Sequence, residues 1–255
     1  MKLLYISPTG KGTFKRDMIN LLHKHKNKET EVTYISLKNE CPDNLEYRSF
    51  EALVLSELIN IVYRESNNYD CIIVGGFFDP GIKELREISG STPVIGPFSV
   101  SISVASTLGN SISILVGKNK WINRIKEEIL IYGYNNLISS IRSINFRVHE
   151  LQSNKEVIEK MILTGNKCVD EDLAEVIILG CTVKYGFADK ISNKLNIPVI
   201  EPIPVTLKYA EMIAYLSKEC GYKPSRLHSS SPPEINEIKK YITENKHYAN
   251  KKTFK

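Results

Sequence analysis

Few side chains in this chain are both chemically competent and placed where a fold could use them, and Cys181 heads that set. It follows the apolar run Val176-Ile177-Ile178-Leu179 and Gly180, and it precedes Thr182, Lys184 and a helical stretch starting near Gly186. A thiol between a strand end and a helix start meets exposed backbone N–H groups, which lower its pKa from about 8.5 by one to several units. Such a thiolate can take a proton from a carbon next to a carbonyl, provided that donors hold the enolate oxygen. Thr182 offers a hydroxyl and a backbone N–H for that oxygen, and Lys184 adds positive charge if its side chain turns inward.

Other groups fall at strand ends, where hydroxyls and backbone N–H groups bind carboxylates well. Ser7 and Thr9 follow the first strand, Gly75, Gly76, Phe77 and Phe78 form the turn after the third, and Gly117-Lys118 follow the fifth. Asp79 opens Asp79-Pro80-Gly81, a turn and helix-start signal first and a site acid second. Ser99 or Asp79 could hold a water that carries a second proton. Glu201 divides evenly between a ligand contact and a helix cap. The stretch Ser7-Pro8-Thr9-Gly10-Lys11-Gly12 lacks phosphate-loop spacing. Cys41, Cys71, Cys168 and Cys220 are scattered without a C-x-x-C pair, and His23, His25, His149, His228 and His247 show no ligand spacing. No disulfide framework or metal site is expected.

The elements that must position these groups alternate. Leu3–Ile6, Val32–Ser36, Cys71–Val74, Pro93–Gly96, Ile112–Val116, Val176–Leu179 and Pro198–Ile200 read as strands, with Arg142–Phe146 a weaker eighth. Helical patterns fall near residues 15–26, 46–67, 81–89, 100–108, 121–132, 155–167, 186–195 and 204–219. This alternation predicts mainly parallel sheets with helices on both faces. Past Tyr222 the pattern breaks into a Ser-Pro linker, a polar helical segment and a basic, solvated tail.

An internal repeat sharpens the picture. Moved forward by 105 positions, Asp70–Ser106 falls on Glu175–Glu211 without a gap. Ile72-Ile73 meets Ile177-Ile178, Gly75 meets Gly180, Gly81 meets Gly186, Pro93-Val94-Ile95 meets Pro198-Val199-Ile200, and Pro97 meets Pro202. Two similar α/β halves are expected, one from residues 1–97 plus about 205–222 and one from 98–204. Residues 223–255 then form an appended helix and tail. The expected site lies between the halves, with Cys181 on one side and, at the equivalent position, Gly76 on the other.

These motifs carry a resemblance. Gly76-Phe77-Phe78-Asp79-Pro80-Gly81 followed by Pro93-Val94-Ile95-Gly96 is similar to the Cys-Phe-x-Asp-Pro-Gly motif and following strand of the aspartate/glutamate/hydantoin racemase superfamily, in its hydantoin-racemase branch. Leu179-Gly180-Cys181-Thr182 and Pro198-Val199-Ile200-Glu201 resemble that branch's second-half motifs, and Ser143–Val148 resembles its connecting segment. The match runs from about Lys2 to Tyr215. It implies two pseudo-symmetric aspartate-racemase-like domains, each a mainly parallel four-stranded sheet flanked by helices. It also implies a cofactor-independent enzyme for a small carboxylate, amide or cyclic ureide. In the family's racemases two cysteines flank the stereocentre. Here Gly76 takes the place of one of them, Ser7-Pro8-Thr9 replaces the usual Asn-Pro-Asn loop, and Val116-Gly117 replaces a hydroxyl pair.

One thiol leaves three readings. The first is a racemase-like isomerase that uses Cys181 as its single active-site cysteine. The second is a one-sided lyase, such as a decarboxylase of a malonate-like acid, whose enediolate the lone thiol protonates. The third is a catalytically silent protein that binds a small anion. Composition excludes other classes. Charged residues make up 25% and apolar ones 42%, as in ordinary globular proteins. The 34 Lys and Arg exceed the 29 Asp and Glu by five, much of it in the last residues, which gives no pattern for nucleic acid. Arg64, Asp70 and Lys83 interrupt the best apolar stretches, so no membrane span is expected. The N-terminus reads as a strand and not as a signal peptide. A cytoplasmic protein is expected, with homo-oligomerisation left open.

Overall fold

A computed structural model of the chain describes residues 1–10, 15–151, 155–182, 185–242 and 248–255. Lys11, Gly12, Lys184, Lys246 and His247, singled out in the sequence, lie outside the described residues. The chain divides into two compact units, one formed by Met1–Gly96 with Leu207–Lys255 and the other by Pro97–Thr206.

The first unit alternates β1 (Lys2–Ser7), α1 (Lys15–His25), β2 (Glu31–Leu37), α2 (Arg48–Glu65), β3 (Cys71–Val74), α3 (Ile82–Ile88) and β4 (Val94–Ile95). Its strands run parallel in the order β4-β3-β1-β2. Period-two alternation assigns the faces. Leu4, Ile6, Ile35, Leu37, Ile72, Val74 and Val94 meet Val54, Leu58, Ile61 and Val62 of α2 and Ile82 and Leu85 of α3 in one core cluster. The α2 residues recur at helical spacing, so one stripe of the helix covers the sheet. Each such side chain contributes roughly 1.5–3 kcal/mol when fully buried.

The carboxy-terminal stretch corrects the expected solvated tail. Tyr248–Phe254 forms β9, which pairs antiparallel with β2 and makes the sheet five-stranded, not four-stranded. One of the lysines that suggest a solvated end is held by partners. Lys251 Nζ pairs with Glu65 Oε2 at 2.7 Å and lies over the Tyr69 ring, while Thr253 Oγ1 meets Thr33 Oγ1 at 2.9 Å. With Lys251 paired to Glu65, the segment adds to the free edge of β2 through its backbone. The appended helix shrinks to the four residues of α9 (Ile235–Ile238).

The second unit contains α4 (Pro97–Ala105), β5 (Ile112–Val116), α5 (Lys120–Tyr132), β6 (Ile138–Ser143), α6 (Lys155–Asp170), β7 (Val176–Leu179), α7 (Ala188–Leu195) and β8 (Val199–Ile200). Helix α8 (Pro202–Glu219) starts here and belongs to the first unit from Leu207. All four strands are parallel, in the order β6-β5-β7-β8. Read from the other edge this is β8-β7-β5-β6, the arrangement of β4-β3-β1-β2. Helices α4 and α8 start at the repeat's two prolines, earlier than the periodicity indicates, because proline suits a first helical position.

Strand β6 starts upstream of the predicted Arg142–Phe146. The two overlap at Arg142 and Ser143, and upstream the hydroxyls of Ser139 and Ser140 both bond Ser113 Oγ of β5, at 3.1 and 2.8 Å. A polar pairing thus replaces the apolar signal. Among the described residues no helix is long and apolar enough to cross a membrane.

Candidate active site

In open α/β sheets, ligands bind outside the carboxyl ends of the strands. Here those ends gather most of the reactive groups, and the turn after β7 places the thiol. Gly180 N donates to Leu115 O of β5 at 2.8 Å, and Cys181 N donates to Leu179 O at 2.7 Å, the i→i+2 bond of a γ-turn. Gly180 is pressed against β5. A β-carbon there would stand 3.0 Å from Ile114 Cγ2, Leu115 O and Val116 Cγ1, so a larger residue would drive the strands apart. The turn delivers Cys181 at 7% exposure into a cluster with Leu115, Ile144, Leu179 and Ile191, with buried Thr182 following.

The neighbouring strand ends are tied to one another by hydrogen bonds. Gly117 O accepts from Phe146 N at 2.9 Å and from Ser143 Oγ at 3.0 Å, which fixes the loop after β5 to the end of β6. Lys118 Nζ donates to Asn145 O and Oδ1 at 3.2 and 3.3 Å, so its charge is held at the outer strand. Ser99 is buried in the first turn of α4, where its carbonyl accepts from Ser103 Oγ.

Glu201 serves a helix. Its Oε1 accepts from Phe187 N at 2.7 Å and from Ala188 N at 3.0 Å, which caps α7 and places a negative charge at the positive end of its dipole. This revises the expected electrostatics at Cys181. The first two donors at the start of α7 are satisfied by Glu201 and are not the groups that would hold a thiolate.

The first unit repeats the turn with one change. Gly75 N donates to Ile6 O of β1 at 2.8 Å, the counterpart of the Gly180 bond. A β-carbon at 75 would meet the Tyr5 hydroxyl at 2.5 Å. Gly76 then takes φ +96, a backbone conformation that side chains make costly. Glycine therefore has a backbone role at this position besides leaving it without a thiol. Asp79, at φ 51, closes the turn by donating its N–H to Gly76 O at 3.2 Å, and its own carbonyl accepts from Ile82 N at 3.3 Å at the start of α3. The Asp79 side chain is buried, as is Phe77, while Phe78 is half-buried.

Beyond β1, Ser7 Oγ and Thr9 Oγ1 are hydrogen-bonded at 3.1 Å. Behind them lie two residues that the sequence does not bring forward. Tyr5 and Tyr34 face each other in register on β1 and β2 and stack at 5.8 Å between ring centroids, both 2% exposed. The Tyr34 phenol hydrogen-bonds Ser7. Burial pushes both phenols above their ordinary pKa, and each stays protonated. Inside apolar strand runs the two rings read as core filling. Their signal is that two polar-tipped aromatics occupy matching positions, and buried hydroxyls need partners.

Gly117, Gly180, Cys181 and Thr182 thus follow strand ends in the second unit, as Ser7, Thr9 and the run Gly75–Asp79 do in the first. Cys71 and Cys168 are buried in the cores, where burial pushes the first thiol up to about 12 and also raises the second. Cys41 is half-buried and also raised, and Cys220 is exposed. Among the described residues no group of three or more His, Cys, Asp or Glu side chains could hold a metal ion.

Comparison with known proteins gives a consistent result. The family model described as Asp/Glu/Hydantoin racemase matches residues 3–210. The chain is 27% identical over 239 residues to a hydantoin racemase of Pseudomonas sp. (strain NS671), covering 93% of this chain and 94% of that one. Its fold matches allantoin racemase from Pseudomonas fluorescens with a TM-score of 0.83 and 20% identity, over 92% of this chain and 97% of the other. Unliganded arylmalonate decarboxylase shares the fold more distantly, with a TM-score of 0.57 and 12% identity over 84% of this chain and 92% of the other.

Proposed function

Because the chain belongs to the Asp/Glu/hydantoin racemase family, we propose that it racemises a small cyclic ureide of the hydantoin class, without a cofactor, through the Cys181 thiol. Hydantoin and allantoin, named for the relatives above, are both cyclic ureides, which supports this class. The observation that carries the reading is the position of Cys181 in the γ-turn past β7, held away from bulk water and followed by Thr182.

A hydrogen on a carbon next to a carbonyl leaves as a proton only when the resulting enolate is stabilised. The Cys181 thiolate takes that proton, and the C–H electron pair moves into the enolate. The Thr182 N–H and hydroxyl hold its oxygen. A proton delivered to the opposite face of the same carbon completes the inversion. Gly76 supplies no acid for that delivery, so the second donor is Asp79 or a water held by Asp79 or Ser99. Ser7, Thr9, Gly75, Phe77, Phe78 and Gly117 bind the ring's carbonyl and amide groups.

A second reading rests on Gly76 alone. In a one-sided decarboxylation a C–C bond of a malonate-like acid breaks, CO2 leaves, and the Cys181 thiol gives its proton to the enediolate carbon. One experiment separates these readings from simple binding. An optically pure hydantoin with one substituent at its stereocentre, incubated in D2O, loses optical rotation and gains deuterium at that carbon if the racemase reading holds. Both changes vanish in Cys181→Ala. CO2 release from an arylmalonate without racemisation of hydantoins selects the lyase. Binding of these compounds with no exchange at all sinks both catalytic readings.

A further inference from the structure

The first unit contains a concavity that shares no residue with the groups assigned above. It measures about 350 Å³ and is bounded by α3, β4, α8 and the segment 224–230. Two arginines line it, and no lining residue is acidic. Arg86 Nε donates to Val94 O at 2.9 Å. Arg226 Nη1 donates to Arg86 O, and Arg226 Nη2 donates to Ser89 Oγ at 3.1 Å. Ser89 is fully buried and its hydroxyl donates a hydrogen bond to Thr92 O at 2.8 Å, which orients the oxygen that accepts from Arg226.

The charge balance of this wall is unusual. Among the described residues, neither guanidinium has a carboxylate within ion-pair distance, although Arg124 and Arg142 elsewhere in the chain do. Arg226 Nε is buried and has no hydrogen-bond partner among the described residues. Two guanidiniums in a partly desolvated wall repel each other, and a buried donor without a partner costs free energy. A fork of N–H groups fixed by neutral acceptors is suited to planar or tetrahedral oxyanions. Burial lowers the Arg226 pKa, in line with a cation short of solvent and counter-charge. Opposite the arginines, Ile95, Ile213 and Tyr209 offer apolar surface. The volume suits a small organic molecule.

We propose that Arg86 and Arg226 form a binding site for a small oxyanion, a carboxylate or phosphate group whose body lies on Ile95, Ile213 and Tyr209. The site shares no residue with the groups assigned to the Cys181 reaction and does not depend on that reaction.

Isothermal titration of the full chain at low ionic strength, with inorganic phosphate and separately with benzoate, tests this. Saturable binding of at least one of them with one site per chain is expected. Phosphate alone would identify a phosphoryl head, and benzoate alone an organic carboxylate. Arg86→Gln and Arg226→Gln should each weaken binding by about tenfold or more, whereas Cys181→Ala should leave it within about twofold. Arg226 also anchors its segment to α3, so Ser225→Glu provides a variant at an exposed position that places a carboxylate in the wall. It should weaken binding by a similar factor while the circular dichroism spectrum stays unchanged. Absence of saturable binding by both anions in the low millimolar range overturns the proposal, as does unchanged affinity in Arg86→Gln and Ser225→Glu.

Discussion

The Asp79 carboxylate lies against the α-carbon of Gly96, so that a β-carbon at residue 96 would stand 2.2 Å from Asp79 Oδ1 and 2.4 Å from its Cγ. Residue 96 is the repeat counterpart of Glu201, so the two units place a carboxylate near the end of their fourth strand in different ways. In the second unit Glu201 itself caps α7. In the first, glycine makes room for a carboxylate that arrives from the turn after β3. Gly96→Ala should therefore expel Asp79 from its position and destabilise the protein by about 1–3 kcal/mol. Its urea midpoint should fall, and α-carbon exchange should fall with it at temperatures where the variant remains folded. A variant with unchanged stability would show that Asp79 yields freely.

The five thiols should separate cleanly under alkylation. Cys220 is exposed and should react first, whereas Cys71 and Cys168 are buried with raised pKa and should resist at pH 8 in the folded protein. In a Cys220→Ser background, loss of activity should track a single label at Cys181, and substrate should slow it. Cys181→Ala should cost about 1 kcal/mol of stability and reduce proton exchange by at least about a hundredfold. Mass spectrometry of labelled peptides against residual activity reads both. Activity that survives full labelling of Cys181 would remove the thiol from the mechanism.

Placing a thiol at the first-unit position tests how much Gly76 contributes as backbone. At φ +96, Gly76→Cys should cost about 1–3 kcal/mol, and its β-carbon would meet Pro80 Cδ and Cγ at 3.3 Å. If the second proton source limits inversion, the ratio of racemisation to deuterium exchange should rise in this variant despite its lower melting temperature. A constant ratio would show that the site at 76 does not face the reacting carbon.

Much of this was legible because the repeat marks it with residues that sterics demand. Gly75 and Gly180 align in the sequence and make the same hydrogen bond to the neighbouring strand, so the turn could be located before its geometry was known. The start of strand β6, upstream of the expected Arg142–Phe146, and the carboxy-terminal strand β9 escaped for one shared reason. Their pairing is decided by polar partners, Ser113 for one and Thr33 and Glu65 for the other, and such partners are distant in sequence. The role of Glu201 escaped likewise, since a carboxylate at a strand end reads equally as ligand contact or cap until the neighbouring helix start is placed. The chemistry proposed for Cys181 rests chiefly on family resemblance, since the local pattern alone shows a thiol between a strand end and a helix start.

The buried tyrosine pair gives a prediction in pH. Both phenols are raised above the ordinary value near 10 by burial, and Tyr34 additionally bonds Ser7, which offsets part of its shift. A phenol harder to ionise in the folded than in the unfolded state holds more protons in the folded state above about pH 10. Stability contributed by this difference is complete below that pH and is lost as pH rises toward the folded-state values. Urea midpoints should hence be level from pH 8 to near 10 and then fall. Tyr34→Phe should make that fall shallower, because one of the two titrating groups is gone. It should also lower stability at pH 8 by about 1 kcal/mol, the worth of its bond to Ser7. Freed from Tyr34, the Ser7–Thr9 pair should hold substrate less well, and KM should rise more than kcat falls. If kcat and stability drop together with KM unchanged, Tyr34 supports the fold and not the loop past β1.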